Sequence, residues 1–412
     1  MLGLSKQGEH GVVMEKRAAA RVVTGAQRLV DTEFADLDGL RVGLVTNHTA
    51  TVDTADGGPR HLVDRLHAAD GVTLAALFGP EHGLRGTAEA GASVESGTDP
   101  ATGVPVFSLY GTSRRPPPES LAGLGALVFD MQDIGARFYT YISTMGYAMQ
   151  AAAEAGIPFV VLDRPNPLGG RADGFVLEPE HASFVGLYPV PVQHGLTVGE
   201  LARMIAGEGW LPGLGELDLR VVEMTGWQRS MRWPETGLPW VPTSPNIPTF
   251  ETALVYPGVA FFEGTTASEG RGTDAPFLLI GTPSLNAGAL ADTLSGHGLP
   301  GVRFERFYFV PRSIPGVAAS PKFEGEKVAG VRLVVTDPAG VRPVALGMHL
   351  LQAVYHQKPA DFFDADWLAR LAGTRRLQRM LEAGARPEAI VGTWQGEVDA
   401  FEEARQPYLL YD

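Results

Sequence analysis

From residue 40 onward the chain repeats one pattern: a short apolar run closes on a polar loop, and an amphipathic stretch follows. The first run, residues 40–45, ends in Thr46-Asn47-His48, and Leu62, Val63 and Leu66 then fall at helical spacing. The second, residues 72–78, ends in Gly79-Pro80-Glu81-His82-Gly83. In the third, residues 104–109, Pro105 predicts an edge position or a strand start, because proline cannot donate to a ladder. The fourth, residues 126–129, ends in Asp130-Met131-Gln132-Asp133. Residues 141–155 read as a helix closed by Gly156. The fifth run, residues 157–162, ends in Asp163-Arg164-Pro165-Asn166-Pro167.

Strands alternating with helices predict an α/β fold built on a doubly wound, mostly parallel sheet. Ligands of such sheets bind beyond the carboxyl ends of the strands. Those ends carry Asn47, His48, Glu81, His82, Asp130, Asp133, Asp163, Arg164 and Asn166, while the strands are apolar. A proline-rich stretch follows: Trp233-Pro234, Leu238-Pro239-Trp240, Pro242, Pro245 and Pro248. It reads as an extended, ordered connector. Beyond it come a polar loop over residues 261–276, a strand near 331–335 and a helix near 343–356. Thr374 is placed to cap a last helix with Leu377, Met380 and Leu381 on one face and Gly384 at its end. The expected organisation is an irregular N-terminal lead (1–23), a catalytic domain (24–250) and a smaller C-terminal α+β domain (251–412) that completes the cleft.

Composition narrows the chemistry. A length of 412 residues suits two domains better than one, and 44% apolar residues can form a sizeable core. The net charge of −14 makes nucleic acid and anionic membrane surfaces poor partners. With no cysteine, disulfides, thiolate nucleophiles and Cys-ligated zinc are excluded. No apolar run has the length of a signal peptide or of the roughly 20 residues of a membrane span, so a cytoplasmic protein is expected. Oligomeric state is left open. Walker-type and Gly-x-Gly-x-x-Gly phosphate loops are absent, as is His-Glu-x-x-His, and the spacing of His48, His61, His67 and His82 matches no standard metal site.

Four loops carry candidate chemistry. In the loop of residues 79–86, glycines at 79, 83 and 86 and Pro80 constrain the backbone around an adjacent carboxylate and imidazole. Glu81 suits a general acid or base if burial raises its pKa; equally, it suits a turn paired with Arg85. Residues 129–141 offer Asp130, Asp133, Arg137, Tyr139 and Tyr141. An arginine fork there can take a carboxylate or sugar hydroxyls, or Asp133 and Arg137 can pair locally. Asn166, held between prolines, suits ligand binding or turn stabilisation. The loop of residues 262–274 holds Glu263, Ser268, Glu269 and Arg271, and a long glycine-rich loop in a compact protein is more often functional than not.

Taken in order, Gly-Pro-Glu-His-Gly, Asp-Met-Gln-Asp-Ile-Gly-x-Arg-Phe-Tyr-Thr-Tyr, Asp-Arg-Pro-Asn-Pro and Glu-Gly-Thr-x-x-Ser-Glu-Gly-Arg-Gly-Thr resemble the family once called DUF1343, now associated with NamZ-type exo-β-N-acetylmuramidases. The segments Thr46-Asn47-His48-Thr49 and Ser244-Pro245-Asn246-Ile247-Pro248 are also similar to it. The resemblance runs from about residue 24 to the C-terminus. It implies a Rossmann-like N-terminal domain with a smaller C-terminal domain, and no metal or other cofactor. It also implies an exo-acting glycoside hydrolase that releases terminal, non-reducing β-1,4-linked N-acetylmuramic acid from peptidoglycan-derived saccharides in cell-wall turnover or recycling. Glu81 matches the family's glutamate expected to be catalytic. Many relatives carry export signals; none is read at the start of this sequence, so the expectation stays with a cytoplasmic protein.

Glycoside hydrolysis normally needs two carboxyl groups. Glu81 is expected as general acid with His82 orienting it. Glu269 is the first choice for the partner, followed by Asp133 and Glu263; the substrate's own N-acetyl oxygen is a third route. The anionic lactyl group calls for a cation, with Arg137 and Arg271 as candidates and Arg164 behind them. Asn47, Tyr139, Asn166, Glu263 and Ser268 complete the expected substrate contacts. The competing reading is a non-catalytic sugar- or nucleotide-binding protein using the same rim; a hydride-transferring oxidoreductase is weaker.

Overall fold

The computed structural model describes residues 21–54, 57–80, 83–84, 96–111, 113–358 and 360–412. Seven strands form the main sheet: β1 (Arg41–Thr46), β2 (Thr73–Gly79), β3 (Gly97–Thr98), β4 (Pro105–Ser108), β5 (Ala126–Asp130), β6 (Phe159–Leu162) and β7 (Leu219–Val222). Their order is β7-β6-β5-β1-β2-β4-β3, and every pairing is parallel except the short β3 against β4. Pro105 opens β4, where its missing N–H costs no central ladder bond.

The period of two along each strand divides the apolar residues between two cores. Val42, Leu44, Ala126 and Val128 face one side, packing with Leu29, Leu62, Val63 and Leu66 of the helices Gly25–Asp31 and Leu62–His67. Val45, Leu127 and Phe129 face the other, with Ile142, Met145, Leu201 and Ile205 of the helices Tyr141–Ala155 and Val198–Gly207. Burial on both faces is why these strands read as continuous apolar runs. The helix Tyr141–Ala155 ends where Gly156 takes φ 64°, a left-handed cap that glycine adopts without strain.

From β1 the chain builds outward to β2 and β4 on one side, then returns to β5, β6 and β7 on the other. The strand order therefore reverses between β1 and β5, where Thr46 pairs with Asp130. Such a reversal of strand order is where ligands of doubly wound sheets are expected to bind.

The second sheet is antiparallel, in the order β8 (Leu279–Thr282), β10 (Val328–Val335), β9 (Val302–Phe309). The helix Ala287–Gly296 packs on it. The helices Phe250–Val259 and Pro343–Gln357 cross at paired glycines: a Cβ on Gly258 would lie 1.9 Å from Pro343 O, and one on Gly347 would lie 2.4 Å from Gly258 O. One apolar core runs from the main sheet into this region, joining Phe129 and Tyr141 to Phe261, Leu333 and Leu350. Among the described residues, no helix is long and apolar enough to cross a membrane.

Candidate active site

The strand-end residues first hold one another. Asn47 follows β1, and its Oδ1 accepts from Thr49 N (3.0 Å) and Thr49 Oγ1 (2.6 Å). Thr49 Oγ1 in turn accepts from Gln132 N at 3.0 Å, so the β1 and β5 loops are tied together. Arg164 clamps Asp130 with both arms of its fork, Nε to Oδ1 at 2.5 Å and Nη2 to Oδ2 at 2.9 Å, and both residues are buried. Asn166 donates to Leu196 O (2.9 Å) and accepts from Leu168 N (2.9 Å), which makes it the organiser of its own turn. Asp133 Oδ2 accepts from Gly135 N at 2.6 Å and lies 3.4 Å from His194 Nε2. Asp163 is fully buried, and burial pushes its pKa up to about 7 against hydrogen bonds from Tyr411, Gly199 and Thr197.

Arg137 is also turned inward. Its guanidinium is fully buried and donates to the carbonyls of Phe175 (2.7 Å), Val190 (2.8 Å) and Leu371 (2.9 Å). Burial lowers its pKa to about 9. Neither it nor Arg164 presents free N–H groups to a substrate in the cleft described next. Asp133 and Arg137 form no local pair, because each is held by other partners.

That cleft has a volume of about 450 Å³ and lies between the loops that follow β4 and β5 and the C-terminal region. Its wall is aromatic: Tyr110, Phe138, Tyr139, Tyr141, Phe184, Tyr256, Phe277 and Trp367. Such rings suit the apolar faces of a pyranose, with a few polar groups fixing orientation. Tyr139 donates to Thr243 Oγ1 at 2.8 Å and Tyr141 to Thr243 O at 2.7 Å, which brings Ser244, Asn246 and Ile247 to the wall. Burial holds the Tyr139 phenol above its usual pKa, so it stays protonated.

The segment after the helix Phe250–Val259 supplies the acidic group. Glu263 is the one acidic side chain among the described residues of the wall. Its Oε1 accepts from Arg271 Nη2 at 2.6 Å and Nε at 3.1 Å. Arg271 also lies 3.7 Å from Glu269 and stacks 5.0 Å from the Phe277 ring centre. Burial alone would lower the Arg271 pKa, but Glu263 and Glu269 together hold it above its usual value. Glu269 itself is buried behind the wall, bound by Lys322 Nζ at 3.0 Å. Ser268 pairs through its backbone with Gly281, and its hydroxyl accepts from Gly270 N at 3.1 Å.

Of the residues singled out in sequence, the structure thus gathers Tyr139, Tyr141, Asn246, Glu263 and Arg271 at the cleft. Asn47, Asp133, Arg137, Arg164, Asn166, Ser268 and Glu269 lie outside its wall. Glu81 and His82 lie outside the described residues; the flanking Gly79 ends β2, and Gly83 N donates to Pro80 O at 2.9 Å. Sequence reading passed over Arg114, Lys322, Trp367 and Arg370. Each comes from a segment with no chemical motif of its own, brought in by tertiary folding. Among the described residues, His297–His349–Glu388 and Glu178–Glu180–His181 are groups that could hold a metal, and neither borders the cleft.

Comparison with known proteins accords with this geometry. The family model described as exo-β-N-acetylmuramidase NamZ, N-terminal, matches residues 42–251, and its C-terminal counterpart matches residues 254–411. The peptidoglycan β-N-acetylmuramidase NamZ of Bacillus subtilis (strain 168) is 44% identical over 394 residues, 95% of this chain and 92% of that protein. The crystal structure of a DUF1343 family protein from Bacteroides fragilis NCTC 9343 superposes with a TM-score of 0.86 at 37% identity, covering 95% of this chain and 99% of the other. A second DUF1343 protein from the same organism gives a TM-score of 0.76 at 32% identity, with the same coverage of 95% and 99%.

Proposed function

The chain belongs to the exo-β-N-acetylmuramidase NamZ family, and from that premise we propose how its residues divide the work. It is a glycoside hydrolase that releases terminal, non-reducing β-1,4-linked N-acetylmuramic acid from peptidoglycan fragments. Glu81 is the general acid that protonates the leaving oxygen, with His82 beside it in sequence orienting the carboxyl. Glu263 is the second carboxylate. The observation that carries this choice is its place as the acidic side chain of an aromatic-walled cleft, held in one orientation by the Arg271 fork. Glu269, the first choice from sequence, is buried behind that wall and already matched by Lys322 and Arg271. The Arg271 fork fixes the Glu263 carboxylate in place, as a nucleophile or base requires. Asp133 acts through the backbone, fixing the turn at Gly135 that leads into Tyr139.

The decisive measurement is product analysis on a disaccharide of N-acetylmuramic acid β-1,4-linked to N-acetylglucosamine. The protein is expected to release both free sugars, and to leave untouched the isomer with N-acetylglucosamine at the non-reducing end. Glu81→Gln is expected to lower kcat by about 10²–10⁴-fold with folding intact. Glu263→Gln is expected to fall comparably. If it loses less than about tenfold, the second role passes to the substrate's own N-acetyl oxygen. If neither isomer is cleaved, the muramidase reading itself fails.

A further inference from the structure

N-acetylmuramic acid differs from N-acetylglucosamine by one group, a lactyl ether ending in a carboxylate. A protein of net charge −14 with Glu263 in its cleft repels that group unless an unneutralised cation meets it there. Arg271 does not meet this need, because Glu263 and Glu269 already match its charge. Arg137 and Arg164 are directed into carbonyls and Asp130. Two other cations line the same cleft, Arg114 and Arg370. Both are exposed, and neither has an ion-pair or hydrogen-bond partner among the described residues.

The Arg114 guanidinium is held by stacking, and Arg370 is carried on a fixed backbone. The Arg114 guanidinium lies 4.3 Å over the Phe184 ring, and Phe184 stacks in turn on Tyr147 with centroids 6.2 Å apart and planes 6° from parallel. Stacking occupies the flat face of the guanidinium and leaves its N–H edge free for a carboxylate. Arg370 stands on the last turn of the helix Ala365–Ala372, between buried Ala369 and Leu371. The carbonyl of Leu371 accepts the Arg137 fork at 2.9 Å, so the backbone under Arg370 is pinned from inside. Both cations thus carry a full charge with open donors at one aromatic-walled site.

Resting on the muramidase reading, we propose that Arg114 and Arg370 form the specificity pair that binds the substrate's lactyl carboxylate. They act on recognition, not on bond cleavage, so their loss raises KM and leaves kcat nearly unchanged.

The test compares 4-nitrophenyl β-N-acetylmuramide with its neutral lactyl amide on the wild type, Arg114→Gln, Arg370→Gln and the double variant. For the acid, each single variant is expected to raise KM by about tenfold or more, the worth of one charge-assisted hydrogen bond, with kcat within about threefold. For the amide, KM is expected to move less than about threefold, so that the preference for acid over amide collapses in the double variant. Arg370→Lys is expected to recover part of the loss. Both side chains are exposed, so thermal unfolding should be unchanged, and a variant that melts early is judged by the acid-to-amide ratio alone. Equal losses on acid and amide, or no change in KM for the acid in the double variant, would overturn the proposal while leaving the muramidase reading intact. A wild type that cleaves neither substrate refutes that reading instead. Calorimetry with N-acetylmuramic acid against N-acetylglucosamine then decides the pair: preference for the acid that vanishes in the double variant supports it, and no preference overturns it.

Discussion

Asp163 shows what a buried charge does at the scale of one residue. It looked from its position like a member of the rim, yet its oxygens accept from Arg164 N, Gly199 N, Thr197 Oγ1 and Tyr411 Oη, joining β6 to the next helix and to the chain's end. Its folded pKa of about 7 exceeds the ordinary 3.8. The native state therefore keeps a proton that the unfolded chain has released. The resulting stabilisation is complete below the unfolded pKa and is lost as pH rises through the folded one. The melting temperature of the wild type relative to Asp163→Asn should accordingly decline from about pH 4 to about pH 7. A difference that stays level across this window would contradict the assignment. Asp163, Asn47 and Asn166 are alike in this: the residue type signals hydrogen bonding, and only the fold shows that the partners are internal.

At the scale of elements, the helices Phe250–Val259 and Pro343–Gln357 set the position of Glu263, which follows the first of them. Their backbones touch because Gly258 and Gly347 have no Cβ at the crossing. A side chain there would have to displace main chain, not a neighbour's flexible tip. Gly347→Val is expected to destabilise the protein by about 1–3 kcal/mol or more through overpacking, read by urea unfolding. It should also lower kcat more than a surface change of equal stability cost, because the Glu263 carboxylate moves with the crossing. The helix Pro343–Gln357 was legible in sequence, and the closing turns at Gly156 and Gly384 were legible from the glycines themselves, whereas the helix Phe250–Val259, buried on nearly every side, was not. The strand Leu219–Val222 was not, since its half-exposed edge position leaves only a short apolar run.

For the whole molecule, Arg137 is the joint. Its three carbonyl partners are Phe175 in the strand Asp173–Val176, Val190 just before that strand's antiparallel partner Pro191–Gln193, and Leu371 of the C-terminal region. Replacing it with leucine removes the charge but strands buried acceptors, at a cost of about 3 kcal/mol or more. Denaturant unfolding of Arg137→Leu measures that cost, and the variant should also raise KM for the muramide, because Leu371 adjoins Arg370. Unchanged stability would show that water replaces the guanidinium at these carbonyls.

The order of apolar runs and their closing glycines determined, without coordinates, that the chain is a doubly wound α/β protein, because period and turn chemistry are local properties; the family was legible only through the resemblance of its loop motifs, taken in order. The choice among polar residues was tertiary. Glu263 and Glu269 share one loop, yet one faces the cleft and the other is sealed behind it by Lys322. Arg137 lies in a motif and is used internally, while Arg114 and Arg370 lie in none and both line the cleft. Whether a charge is free or matched depends on which distant groups the fold brings beside it, and no local pattern encodes that.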